Sequence, residues 1–150
     1  MAKWGSADFQ ELKKLQQNIE KLSKVDMDRF YEACIKELAA RLLGFVIPAT
    51  PIGVYPAESG KKGGTLKRGW GAKSYADSLP VTKIGHTYQI EIINPVEYAS
   101  YVEYGHRTRG GKGWVPGRYF LTISEEKLKE ERPAILERKL KKMFKEVFNA

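Results

Sequence analysis

The stretch "NPVEYASYVEYGHRTRGG", residues 94–111, carries tyrosines at three-residue spacing, two glutamates, a glycine, and then only positive charge. Tyr98, Tyr101 and Val102 are three and four residues apart, the spacing of one helical face. Gly105 suits the end of that helix, because glycine enters left-handed backbone without a Cβ penalty. The stretch therefore predicts a short helix that stops at Gly105 and releases a Gly/Arg-rich loop over 106–117.

Upstream the period changes to two. Tyr88, Ile90 and Ile92 alternate with Gln89 and Glu91, the pattern of a half-buried strand. "LPVTKIG" and "TYQIEIIN" read as two strands joined near Gly85–His86, and antiparallel pairing is the simplest solution at this separation. In "TLKRGWGAKSYA" an extended chain would put Leu66, Arg68 and Trp70 on one side. Residues 48–65 hold Pro48, Pro51 and Pro56 with Gly53, Gly60, Gly63 and Gly64, which predicts a long exposed loop.

Helical patterns flank this middle. Phe9, Leu12, Leu15, Ile19 and Leu22 form one apolar stripe, with Ser6 as a candidate cap. "SKVDMD" interrupts the stripe and offers Ser23 or Asp26 as a new cap. A second helix is expected from about Asp28 to Phe45, with Phe30, Cys34, Leu38, Leu42 and Phe45 inward, ended by Pro48 and Pro51. From Tyr119 to Phe148 the pattern is helical again, with Pro133 beginning or kinking a helix. Leu136, Leu140, Met143 and Val147 make its stripe. No internal repeat occurs. The order predicts an α+β fold: long N- and C-terminal helices packed on a small, mainly antiparallel β-sheet. It reads as one domain over 1–150, with 48–65 and 106–117 as loop insertions.

The bulk numbers bound the function. At 150 residues the chain can bury a core without disulfide or metal. It is 42% hydrophobic and 29% charged, which argues against disorder. Cys34 is the one cysteine, so an intrachain disulfide is excluded and a reducing compartment is expected. Its neighbours Tyr31, Ile35 and Leu38 suggest a buried helix residue rather than a reactive thiol. No apolar run approaches a membrane span, and "MAKWGSADFQELKK" lacks an apolar signal core. The expectation is a soluble protein made in the cytoplasm, without a membrane partner.

Candidate chemistry fails on spacing. "GHRTRGGK" and "GKGWVPG" miss the phosphate-binding patterns and do not open a helix. His86 and His106 are too far apart in sequence for a metal pair, and they read as turn and loop residues. Glu97 and Glu103, six residues apart, do not share a helical face, and with His106 they make no acid–base pair. They read as a solvated edge or as ion-pair partners. No catalytic, metal-binding or cofactor-binding residues are expected.

The net charge of +8 is uneven: residues 48–124 carry ten bases and five acids. Lys61, Lys62, Lys67, Arg68 and Lys73 form one acid-free cluster; Arg107, Arg109, Lys112 and Arg118 form another. Trp70 and Trp114 stand beside them. Three readings fit this: solvated loops with the tryptophans tucked into the core edge, a protein-partner surface anchored by Tyr, Trp and Arg, or a nucleic-acid grip.

The order "PATP…GGTLKRGW", a β region, "VEYASYVEYGHRTRGG" and "VPGRYFLTIS" before a last helix resembles the gene-product-ten-like family of phage neck proteins. Thr65, Leu66, Lys67 and Arg68 match its first segment. Tyr98, Ala99, Tyr101, Val102, Glu103, Tyr104 and Gly105 match its second. Arg118, Tyr119, Phe120 and Leu121 match its third, although Arg118 and Tyr119 stand where the family shows a proline and its neighbour. His106 replaces the family's threonine. The likeness runs over roughly residues 30–148. It implies a non-enzymatic virion protein, made in the host bacterial cytoplasm, that joins head to tail or completes the tail. The implied partners are other neck and tail proteins, copies of itself in a ring, and DNA in the ring's channel. Lys61, Lys62, Lys67, Arg68, Arg107, Arg109 and Lys112 would then face partner or DNA, with Glu97 and Glu103 as acidic counterparts. The alternative is a small basic nucleic-acid-binding protein.

Overall fold

The computed structural model describes residues 9–72 and 75–149. Ser6, a candidate cap, and Lys73, of the first basic cluster, lie outside them.

The longest inner element is α2, Met27–Ala49. Asp26 caps it, its carboxylate accepting from the Arg29 amide at 3.1 Å. The expected end at Phe45 is corrected: the helix runs through Pro48, to Ala49. Thr50 closes it: its amide and its hydroxyl both donate to the Val46 carbonyl, at 2.9 and 2.6 Å. The buried residues are Cys34, Ala39, Leu43 and Val46. The expected stripe is thus corrected, with Leu38, Leu42 and Phe45 only half-buried. The physical reason is that α2 touches α1's neighbour α6, the short helices α3 (Thr65–Arg68) and α4 (Tyr75–Ser78), and a strand, so no face is fully wet. Phe45, for example, lies under the Lys127 ammonium, 4.6 Å from its ring centre. Cys34 is buried as expected, and that burial pushes its thiol pKa up.

Leu66 and Trp70 are buried, but on a helical turn rather than the extended segment expected. They join Ala39, Leu43, Val46, Ala76 and Phe120 in the core. Trp70 meets Phe120 edge-on, at 6.3 Å between ring centres, and its indole N–H donates to Thr50 Oγ1 at 2.8 Å. The buried hydroxyl that ends α2 therefore also satisfies the one polar atom of the tryptophan.

The strands form two separate antiparallel ribbons. β1 (Thr82–Ile84) pairs with β2 (Thr87–Gln89) across Gly85–His86, as the sequence predicts. The period-two alternation continues to Val96: even-numbered residues from Tyr88 are half-buried and the intervening ones exposed. Ile90, Ile92 and Val96 lie against the core along this length. The first ribbon is tied to the start of α2 by Asp28, whose carboxylate accepts from Lys83 at 2.8 Å and from the Tyr88 hydroxyl. The Lys83 and Tyr88 hydrogen bonds hold the Asp28 pKa below its ordinary value.

α5 (Ala99–Tyr104) and the second ribbon, β3 (Gly105–Arg107) with β4 (Trp114–Pro116), follow. The last helix, α6, runs unbroken over Phe120–Asn149 with Pro133 inside it. It lies along α2, and Lys139 bridges to Glu37 at 2.9 Å. Of its expected stripe Met143 is buried, Leu136 and Val147 are half-buried and Leu140 is exposed, while Ile135 is buried in addition. The first helix, α1 (Phe9–Ser23), touches α6 but buries no residue. No helix among the described residues is long and apolar enough to cross a membrane.

Candidate partner-binding surface

The helix over the opening stretch ends at Gly105 as predicted. The Gly105 amide donates to the Tyr101 carbonyl, and its φ of 89° is open to glycine but costly for other residues. A Cβ there would stand 2.6 Å from the Val115 carbonyl oxygen. One at Gly117 would stand 2.3 Å from that of Glu103. The two glycines let the backbones of α5 and β4 touch at the root of the ribbon.

Glu103 fixes that root. It is no solvated edge: its exposure is 3%. Its carboxylate accepts from the Leu121 amide, the Thr122 amide and the Thr122 hydroxyl, at 2.9, 2.9 and 2.6 Å. These are orphan donors of the first turn of α6, where the helix dipole also favours negative charge. The acid is consumed in holding α6 to α5. Arg118 and Tyr119 add backbone bonds to the Val102 and Glu103 carbonyls, at 2.8 and 3.0 Å. Tyr119 itself sits at φ 50°, an uncommon place for a tyrosine.

The expected loop over 106–117 is corrected to this β-ribbon with a glycine turn. Thr108 closes the turn: its amide donates to the Gly113 carbonyl, and its Oγ1 accepts from the Gly113 amide, both at 2.9 Å. Gly110 and Gly111 supply the positive φ angles. Arg107 and Trp114 are direct cross-strand partners, which puts them on one face. His106 lies half-buried in β3 rather than in a wet loop, with its ring beside Tyr101.

The α5 tyrosines face outward. The single face expected for Tyr98, Tyr101 and Val102 is divided: Val102 meets the core with Ala99, and the tyrosines are exposed. Tyr104 and Tyr119 meet edge-on at 6.5 Å between ring centres. Trp114, 60% exposed, lies over Gly105. An open aromatic patch thus surrounds the ribbon root; Arg118 next to the root, Arg107 on the ribbon, and Arg109 and Lys112 in the turn at its far end are exposed.

The loop expected over 48–65 is shorter, because Pro48 and Ala49 belong to α2 and Thr65 to α3; residues 51–64 form it, largely exposed, with one 3-10 turn at Ala57–Ser59. It is folded on itself, since a Cβ on Gly63 would overlap the Gly53 carbonyl at 2.0 Å. Arg68 is tied locally, to the Gly63 carbonyl and Thr65 Oγ1, at 3.2 and 3.3 Å. Lys61 leans toward the Tyr55 ring, 6.0 Å from its centre. Between this loop and α5 lies a groove of about 510 Å³ lined by Lys62, Thr65, Leu66, Tyr98, Val102 and Arg118, among others. The three motif segments therefore meet in space. Lys67 is half-buried beside Leu66, outside the groove lining. Phe120 belongs to the core. Glu97 remains exposed, and it lines a different hollow with Ile92, Ile93, Ser100 and Tyr104.

The two tryptophans part company. Trp70 is 3% exposed and cannot stack on a base, whereas Trp114 is open. Sequence spacing alone does not separate them. Among the described residues no three His, Cys, Asp or Glu side chains are grouped to hold a metal.

No curated protein and no solved structure gives a significant match to this chain. The HK97-gp10-like family, a bacteriophage tail-component family, matches residues 13–105, from the first turns of α1 to the Gly105 cap. The β3–β4 turn and α6 lie beyond the matched residues. By that match the chain belongs to the HK97-gp10-like family of bacteriophage tail components, structural proteins that work in the virion against other phage proteins.

Proposed function

We propose that this tail component joins the head to the tail, or completes the tail end, through protein–protein contacts within a ring of its own copies. The observation that carries the reading is the aromatic patch at a rigidly held ribbon root, from which the ribbon extends with Arg107, Arg109 and Lys112 exposed. Tyr, Trp and Arg are the side chains that anchor protein interfaces. The groove supports the same reading, because its charged lining residues are Lys62 and Arg118 and it includes no acid. Lys61 and Lys67 flank this basic side of the chain. The role is structural and uses no catalytic group.

The nucleic-acid reading keeps one favourable observation, the exposed Trp114 beside Arg107. It loses the second stacking residue to the core and has Arg68 tied to its own loop. A ring with Arg109 and Lys112 toward its channel would still allow contact with passing DNA.

The test is a phage carrying a stop codon in this gene. Electron microscopy of the lysate is expected to show filled heads and separate tails, with joining restored by the protein supplied in trans. Joined, infectious particles without the protein would overturn the assignment. A salt-sensitive mobility shift of duplex DNA by the isolated protein, with normal joining in the mutant, would favour the nucleic-acid reading.

A further inference from the structure

Helix α1 is the anomaly of the fold. Its spacing is that of an amphipathic helix, yet Phe9, Leu12, Leu15 and Ile19 are 55–74% exposed. The stripe spans most of a helix ~22 Å long, at 1.5 Å per residue. An exposed apolar surface of this continuity marks an interaction site.

The charges on α1 narrow the occupant. On the helical wheel Glu11 borders the stripe on one side and Glu20, with Lys13 beside it, on the other, while Lys14 and Lys21 lie across the back. A membrane-surface helix places its lysines along the apolar border, where their stems reach the headgroups. This helix has two acids and one lysine there, and its other two lysines point away from the stripe. Pairing with another α1 would offer these borders no excess of positive charge. The complementary surface is present on the chain itself: Tyr104, Trp114 and Tyr119 are exposed at the ribbon root, with Arg107 on the ribbon and Arg109 in its turn.

We propose that the apolar stripe of α1 docks on the aromatic root of the β3–β4 ribbon of a second copy, with Glu11 and Glu20 against Arg107 and Arg109. The two faces differ, so the contact is head-to-tail. Such a contact closes into a ring when the rotation allows and otherwise extends as a filament. The inference deepens the ring reading above and rests on it. Each single contact is small, and ring closure strengthens it by making the last contacts intramolecular.

The test uses the full chain in sedimentation velocity over a concentration series. The wild type is expected to associate with rising concentration. Leu15→Asp with Ile19→Asp should leave it monomeric with an unchanged melting curve, because α1 buries no residue. Glu11→Lys with Glu20→Lys, and separately Arg107→Glu with Arg109→Glu, should each weaken association at least tenfold. All four reversals together should restore it. A wild type that stays monomeric at its highest soluble concentration overturns the proposal. So does normal association of the Leu15/Ile19 variant, or failure of the combined reversal to restore pairing. Binding to phosphatidylglycerol vesicles through the stripe, without association, overturns it in favour of a membrane. If the Leu15/Ile19 variant associates normally and still joins heads to tails in trans, this inference falls while the head–tail assignment stands. Failure of the stop-codon test would remove that assignment instead.

Discussion

Residues 65–70 and residues 105–117 look alike as sequence and are opposites as structure. Each sets basic side chains and a tryptophan among glycines. In the first, Leu66 and Trp70 turn inward and the indole is hydrogen-bonded to Thr50. In the second, Trp114 stays out, and the segment is held by backbone pairing and by the carboxylate of Glu103. One region anchors by apolar burial, the other by a polar plug. Only the second leaves its aromatic and cationic side chains available to a partner.

The largest expected effect breaks the comparison at its two tryptophans. Trp70→Ala removes a fully packed ring and takes one donor from Thr50 Oγ1, which keeps its bond to the Val46 carbonyl, so a loss of about 3–5 kcal/mol of unfolding free energy is expected. Trp114→Ala should change stability by no more than about 0.5 kcal/mol, because the ring is largely in water already. Urea unfolding followed by circular dichroism measures both. Equal losses at the two sites would mean that Trp114 is also a core residue.

The next effect tests the polar plug. Glu103→Gln keeps the shape but leaves one oxygen where three donors converge, and it turns an NH2 group toward backbone amides. A cost of about 1–3 kcal/mol is expected, the range for a buried hydrogen bond to a charged group. Faster amide exchange should concentrate at Leu121 and Thr122 and in the ribbon, while the Trp70 region stays protected. Uniform exchange across the chain would contradict two separately anchored regions.

How much of this was legible in advance follows from where each constraint acts. The Gly85–His86 turn, the Asp26 cap and the Gly105 stop are local, and each is found where its residue type demands. So is the period-two run from Tyr88, which keeps its alternation even beyond the hydrogen-bonded strand. Leu66 and Trp70, four apart, satisfy both a strand and a helical turn, and only the packing decides between them. The α2 and α6 stripes shift because neighbours cover several faces of α2. Glu103 gives no local signal at all, since its partners lie eighteen and nineteen residues away. In α1 the sequence shows an apolar face, but not that the fold leaves that face open. The three motif segments are readable as an order along the chain. Their meeting in one groove is a property of the fold alone.

The smallest effect sharpens the comparison, because it concerns the clasp that both regions share. α2 packs on the Trp70 side, and α6 begins at the ribbon root. Lys139 of α6 meets Glu37 of α2 at 2.9 Å, with Arg41 at 3.6 Å on the same carboxylate. The Lys139 hydrogen bond, and the charges of Lys139 and Arg41, hold the Glu37 pKa below its ordinary value. A carboxylate depressed in the folded state stabilises it above the unfolded pKa. That contribution disappears as pH falls through the lower folded value. Lys139→Met should therefore cost up to about 1 kcal/mol near neutrality, as expected for a partly exposed pair. The difference from wild type should shrink to nothing below the ordinary carboxylate range. Arg41 keeps part of the depression in the variant, so some pH dependence should survive. Thermal unfolding across an acid series measures this, and a penalty that persisted unchanged into acid would assign the lysine a packing role through its methylene stem instead.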